Sequence, residues 1–141
     1  MHTIMKRHLT ALVFALLPFA GALAQCDDVA LECRESLTTN YISDGQFYRA
    51  LLYSDQVAEF ETTLFGANTY RVAACSSAQP GSLIFRIYDE ERNLLFTNSE
   101  YSNAPYWDFV VSNTMNCTIE AQLDPNRAES GCSVLVIGFK K

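Results

Sequence analysis

From Val57 to Leu64 the chain alternates, with Ala58, Phe60, Thr62 and Leu64 on one side and Glu59, Glu61 and Thr63 on the other. A period of two marks a strand with one buried and one wet face. Residues 117–123 repeat it, setting Ile119, Ala121 and Leu123 against Thr118, Glu120 and Gln122. Residues 83–89 oppose Leu83, Phe85 and Ile87 to Arg86 and Tyr88, with Ile84 blurring the outer side. Five more runs rich in aromatic and β-branched residues cover 47–53, 69–75, 94–97, 106–111 and 133–139. Turn formers separate them at 66–68, 79–82, 89–93, 102–105, 112–116 and 124–131. Every proline after residue 24 falls in these turns, where no central strand loses a donor. About eight short strands at near-even spacing predict an all-β, antiparallel β-sandwich of the jelly-roll kind. A doubly wound α/β fold would need helical patterns between the strands, and none is present.

One helix is expected, over residues 27–37. Val29, Cys33 and Leu37 recur four apart on one face, and Asp27 and Asp28 suit the positive end of a helix dipole. So short a helix needs tertiary support. The chain thus divides into a leader at 1–24, an N-terminal segment with the short helix at 25–46, and a sandwich domain at 47–141.

The leader reading rests on Lys6, Arg7 and His8, the apolar run from Leu9 to Leu17, and small residues ending in Ala22-Leu23-Ala24. That layout is a secretory signal, too short in its apolar part to span a bilayer. Cleavage is expected after Ala24. A lipoprotein signal would place Gly, Ala or Ser before the cysteine, whereas Gln25 precedes Cys26. The expected address is therefore secreted or periplasmic, with no membrane insertion of the mature chain.

Removing the leader changes the chemistry available. His2 and His8 leave with it, so the remaining 117 residues hold no imidazole for a triad, a general base or a zinc site. Eight Lys and Arg then face sixteen Asp and Glu, a net charge of −8. Such a surface repels phosphate backbones and anionic lipid, which argues against nucleic-acid partners.

Five cysteines in an exported chain imply disulfides, and the odd number implies a spare thiol. If strands one, eight, three and six form one sheet and two, seven, four and five the other, the third strand ends at Cys75 beside the start of the eighth, at Cys132. Cys75 with Cys132 is the first pairing expected. Cys117 opens the seventh strand at the opposite pole, where the N-terminal segment brings Cys33 or Cys26. Cys33 is preferred for its place on the apolar helix face, leaving Cys26 as the spare thiol. Catalytic use of a cysteine is not expected, since a nucleophilic thiolate wants a neighbouring base or cation.

Few residues point to a ligand. Asp89-Glu90-Glu91-Arg92-Asn93 lacks the spaced acids and central glycine of a calcium loop and reads as a solvated hairpin turn, so no metal and no cofactor are expected. Sixteen acids offer many carboxylate pairs for glycoside hydrolysis and single out none. Asn116-Cys117-Thr118 matches a glycosylation acceptor, although its cysteine is expected in a bond. On a strand through Tyr106-Trp107-Asp108-Phe109, Trp107 and Phe109 point one way, and Tyr106 and Asp108 the other. Trp107 reads first as core. Tyr106, Tyr88 or Tyr101 beside Asp108 would make a sugar-stacking platform if exposed.

From Gln56 to Phe139 the order of features resembles the pre-peptidase C-terminal jelly-roll domain of secreted bacterial proteins. The matching pieces are Ala58-Glu59-Phe60-Glu61 before Gly66-Ala67-Asn68-Thr69-Tyr70-Arg71-Val72, then Ile84-Phe85-Arg86-Ile87-Tyr88-Asp89, Trp107-Asp108-Phe109 and Val134-Leu135-Val136-Ile137-Gly138-Phe139. The resemblance implies the fold, and a domain that accompanies a hydrolase by aiding secretion or contacting substrate. This chain carries no peptidase beside it, and the turn after Asp89 lacks the usual glycine. The expectation is a non-enzymatic exported β-sandwich binding a protein or a polymer, the alternative a carbohydrate-binding module. A hydrolase using two carboxylates stands behind both.

Overall fold

The computed structural model describes residues 21–141, so the leader expected over 1–24 lies outside the described residues as far as residue 20. Eight strands follow one helix: α1 (Gly21–Glu35), β1 (Tyr41–Tyr53), β2 (Val57–Leu64), β3 (Asn68–Ser76), β4 (Leu83–Asp89), β5 (Leu94–Thr97), β6 (Tyr106–Val111), β7 (Met115–Leu123) and β8 (Ser130–Lys140). They form two antiparallel four-stranded sheets, ordered β1-β8-β3-β6 and β2-β7-β4-β5. This is the jelly-roll strand order on which the expected cysteine pairing rests.

Between the sheets, Val72, Leu135 and Ile137 of the first meet Phe85, Ile119, Ala121 and Leu123 of the second, all essentially without solvent contact. Each such Val, Leu, Ile or Phe side chain contributes about 1.5–3 kcal/mol on burial. A second, smaller cluster lies on the opposite face of the first sheet. There Ala30, Cys33 and Leu37 cover Ala73, Val134 and Val136. The strand β8 is therefore buried on both faces from Cys132 to Gly138. Its unbroken apolar run, unlike the alternation of β2, is the pattern a doubly covered strand requires.

The helix differs from the expected 27–37: it ends at Glu35, and Leu37 sits in the following turn. Leu37 is still buried, and its methyls lie where a Cβ on Gly138 would go, at 2.9 and 3.1 Å. Glycine on β8 lets the turn close onto the sheet. The first strand also starts six residues earlier than the expected Phe47. Its register against β8 slips between Ser43 and Phe47, where Gly45 takes a φ of 84°. Ser43-Asp44-Gly45, expected in the N-terminal segment before the first strand, is a bulge within it.

The disulfides depart from expectation. Cys26 bonds to Cys132 and Cys33 to Cys75, leaving Cys117 as the buried free thiol. Cys75 and Cys132 do lie near one another on the same face, but that is the face the helix covers, and each meets a helix cysteine instead of the other. Cys26 and Cys33 are seven apart, two turns, and so share the helix's inner side. The expected Cys33–Cys117 bond is ruled out by layering: Cys117 points into the sandwich core from β7, and the whole first sheet stands between it and α1. Two disulfides mark a chain that folds in an oxidising, extracytoplasmic compartment.

Candidate functional site

The strand β6 ends the first sheet, and its sides divide as the sequence predicts. Trp107 and Phe109 turn inward and pack with Phe96 of β5, at ring-centroid distances of 5.3 and 5.0 Å. Tyr106 and Asp108 turn outward. There Arg71 of β3 donates Nε and Nη2 to the two oxygens of Asp108 at 2.7 and 3.0 Å, and Nη1 to the carbonyl of Ser36 at 3.0 Å. Its guanidinium also lies 4.1 Å from the Tyr106 ring centre and 4.5 Å from that of Tyr41. Arg71 thus ties the edge strand, β1 and the end of the helix together. Hydrogen bonding from Arg71 holds the Asp108 carboxyl below the usual aspartate range. Asp108 has both oxygens committed, and one face of Tyr106 lies under the guanidinium.

Tyr88 lies elsewhere. It is on β4, in the other sheet, beneath Arg92, whose guanidinium is 4.7 Å from its ring centre. Arg92 Nη2 also donates to Glu120 at 2.8 Å and Glu59 at 3.3 Å. The residues singled out in the sequence therefore fall into separate places: Tyr106 with Asp108 on one outer face, Trp107 inside with the half-exposed Tyr101 ring 4.3 Å from it, and Tyr88 on the far sheet. No sugar platform is assembled from them.

The acidic turn after β4 is shaped by its own backbone. Asp89 Oδ1 accepts from the amides of Glu91 and Asn93 at 3.0 and 2.8 Å, and Oδ2 from Asn93 Nδ2 at 2.9 Å. Arg92 takes the left-handed φ of 64° where a glycine was missed in the sequence. The Asn93 side-chain bond, joined by backbone bonds, pushes the Asp89 carboxyl down. Asp124 is pushed down as well, first by the Asn126 amide. A general acid needs the opposite shift. Among described carboxyls with a resolved shift, burial raises only Asp44, in the β1 bulge beside Tyr48, and no second acid contributes. Cys117 is equally unsuited to nucleophilic work, since burial pushes its thiol to about 11.

What the structure does assemble is a groove at the end of the sandwich where β2, β4 and β6 finish. β5 and β6 end their respective sheets without closing on each other. Phe96 bridges this open side, packing on Phe85 and Phe109 within and on Tyr101 without. Beside it lies an apolar groove of about 400 Å³ lined by Leu64, Ile87, Leu95, Phe109, Val110 and Met115. Leu95 is 50% exposed and Val110 83%. Two polar hollows adjoin it: one against Asp89, Glu90 and Glu91, sharing Thr114 and Met115, the next between Glu61 and Thr118, sharing Glu90 and Asn116.

The wall between them is well braced. Asn116 donates Nδ2 to Glu90 at 2.7 Å and accepts from the Thr63 hydroxyl at 2.7 Å. The Gly66 amide donates to Thr114 Oγ1 at 3.0 Å. Gly66 comes so close to this turn that a Cβ would lie 2.7 Å from the Ser112 carbonyl oxygen and 2.9 Å from the Thr114 nitrogen. Neither Leu95 nor Val110 was singled out in the sequence. A signal existed: in Leu94-Leu95 and Val110-Val111, adjacent apolar residues on a strand cannot both face one core.

No family model matches the chain, and no curated protein matches it. Solved structures do match. One is the crystal structure of Aeromonas hydrophila PliG, a periplasmic lysozyme inhibitor of g-type lysozyme, which shares 9% identity over 72% of this chain and 89% of that chain, with a TM-score of 0.53. The likeness is one of fold.

Proposed function

We propose that this chain is a non-catalytic, exported β-sandwich that acts by binding another protein. The observation that carries the reading is the open margin between β5 and β6, where Leu95 and Val110 stand half or more exposed and line a groove whose wall is held by hydrogen bonds. Contiguous exposed apolar surface next to a preformed groove is the property of a recognition surface. The carboxyls pushed down at Asp89, Asp108 and Asp124 do not suit the role of a general acid.

The fold likeness suggests where to look first. PliG is a periplasmic inhibitor of a lysozyme, and the pre-peptidase C-terminal resemblance likewise concerns exported domains, which aid secretion or contact substrate. A periplasmic or secreted address, and an extracytoplasmic hydrolase as partner, are the finer parts of the proposal. The carbohydrate reading is weaker, because Tyr106 and Asp108 are engaged by Arg71.

The test is direct. The oxidised exported chain is immobilised and offered g-type and other lysozymes, followed by a cell-wall lysis assay with each binder; the same preparation is applied to a glycan array. Saturable protein binding with an empty array supports the proposal. Saturable binding to a defined glycan, with every protein passing unretained, would replace it with the carbohydrate module.

A further inference from the structure

The groove and the acidic turn beside it share Thr114 and Met115, so the two adjoin along those residues. We infer that they form a single docking surface for a basic segment of the partner protein, with an apolar side chain seated in the groove and Lys or Arg beside it on the carboxylates. The inference rests on the protein-binding function proposed above and specifies its partner.

The apolar half follows from the lining. Leu95, Val110 and Met115 form a rim over Phe96 and Phe109, and the volume of about 400 Å³ suits side chains. Seating an apolar group there removes wet hydrocarbon on both sides.

The basic half follows from charge. No Lys or Arg lines any of the three hollows. Among the described residues Glu61, Glu90 and Glu91 enter no ion pair, and the one cation of the turn, Arg92, is drawn to Glu59 and Glu120 instead. Asp89 is held ionised by its amide donors. The surface therefore presents uncompensated negative charge beside exposed hydrocarbon.

That combination discriminates. A nucleic acid, an anionic lipid surface or an acidic peptide meets like charge, and so does a second copy of this chain, whose net charge is −6. A neutral glycan leaves the carboxylates unpaired and the leucine and valine uncovered. A segment with both basic and apolar side chains satisfies both halves.

Three synthetic peptides of equal length probe the proposal: one mixing Lys with Leu and Phe, one with each Lys replaced by Glu, and one with each Leu and Phe replaced by Ser. Binding to the oxidised exported chain is read by fluorescence anisotropy at physiological salt, and the contact by amide chemical shifts. The mixed peptide is expected to bind at least about tenfold tighter than either control and to shift residues around Leu95, Val110 and Glu91. Leu95→Ser and the paired Glu90→Gln, Glu91→Gln variants are each expected to weaken it by about fivefold or more, with an unchanged melting temperature confirming the fold.

Equal binding of the all-polar basic peptide, or of the acidic one, would overturn the inference, as would shifts confined to other faces. Sedimentation showing a dimer that Leu95→Ser dissolves would assign the groove to a second copy and overturn it too. If a lysozyme binds the chain but the mixed peptide neither competes nor depends on Leu95, the protein-binding function stands and only the groove assignment falls. If no protein binds while a glycan does, the broader reading fails first.

Discussion

One guanidinium grips both oxygens of Asp108: Arg71 Nε reaches Oδ1 at 2.7 Å and Nη2 reaches Oδ2 at 3.0 Å, across the pair β3 and β6. The Arg71 side chain is 12% exposed and that of Asp108 39%, so solvent weakens the pair without cancelling it. Asp108→Asn is expected to cost about 1–2 kcal/mol in urea unfolding near neutral pH. The folded carboxyl titrates below its unfolded value near 3.9, so its contribution is complete above that value and disappears as pH falls through the folded one. Between about pH 5 and pH 2 the stability of the wild type should therefore fall more steeply than that of Asp108→Asn. Parallel acid limbs would refute the assignment.

The disulfides predict a specific peptide map. Non-reducing digestion of the oxidised chain should join Cys26 to Cys132 and Cys33 to Cys75, with Cys117 alone alkylated once the protein is denatured. The loops closed span 106 and 42 residues. In the chain-entropy model the double serine variants lose about 5 and about 4 kcal/mol respectively. A fragment linking Cys75 to Cys132 would contradict the layering of helix on sheet.

Cys117 should resist modification while the protein is folded. Its thiol is buried and pushed up to about 11. A thiol-specific chromogen should react slowly at neutral pH and fully in denaturant. Because the folded value lies above the unfolded one, any stability the protonated thiol allows is present below the unfolded value near 8.5 and is lost as pH rises towards 11. Cys117→Ala should flatten that alkaline decline.

Asn98 is fully buried between β4 and the short turn that precedes β6. Its Oδ1 accepts from the Phe85 amide at 2.8 Å, and its Nδ2 donates to the carbonyls of Leu83 and Ala104 at 3.0 and 3.1 Å. Replacement by Ala leaves buried backbone groups without partners. The expected cost is about 3 kcal/mol, measured by thermal or urea unfolding. A loss below about 1 kcal/mol would mean that the three bonds do not hold the turn.

Gly66 couples the fold to the groove. A Cβ there would press on the backbone of residues 112–114, which form one wall. Gly66→Ala is expected to cost about 1–3 kcal/mol and to weaken the basic, apolar peptide together with stability. Unchanged peptide affinity in a destabilised variant would show the wall to be irrelevant to binding.

The fold was largely legible because each strand carries its own evidence. Alternation in β2, β4 and β7 shows which side is wet, and the unbroken run in β8 shows a strand covered twice. Such patterns are local: they give the strands and their dry faces, and leave the order in which the strands pair to the tertiary structure. The bulge at Gly45 was not legible, since a glycine beside Asp44 reads the same in a turn and in a kinked strand. At the site, the burial of Trp107 could be read from alternation, but Leu95 and Val110 could not be recognised as one surface.

What the chain determines by itself, then, is which residues pair into strands and which faces are dry, because backbone geometry converts a period of two into two faces. Tertiary structure alone decided how those faces meet: that the helix lies outside the first sheet, so that Cys26 and Cys33 take the partners Cys132 and Cys75, and that β5 and β6 leave a groove between them. The physical reason is distance along the chain. Contacts between residues tens of positions apart depend on how whole layers stack, and no single stretch of sequence carries that information.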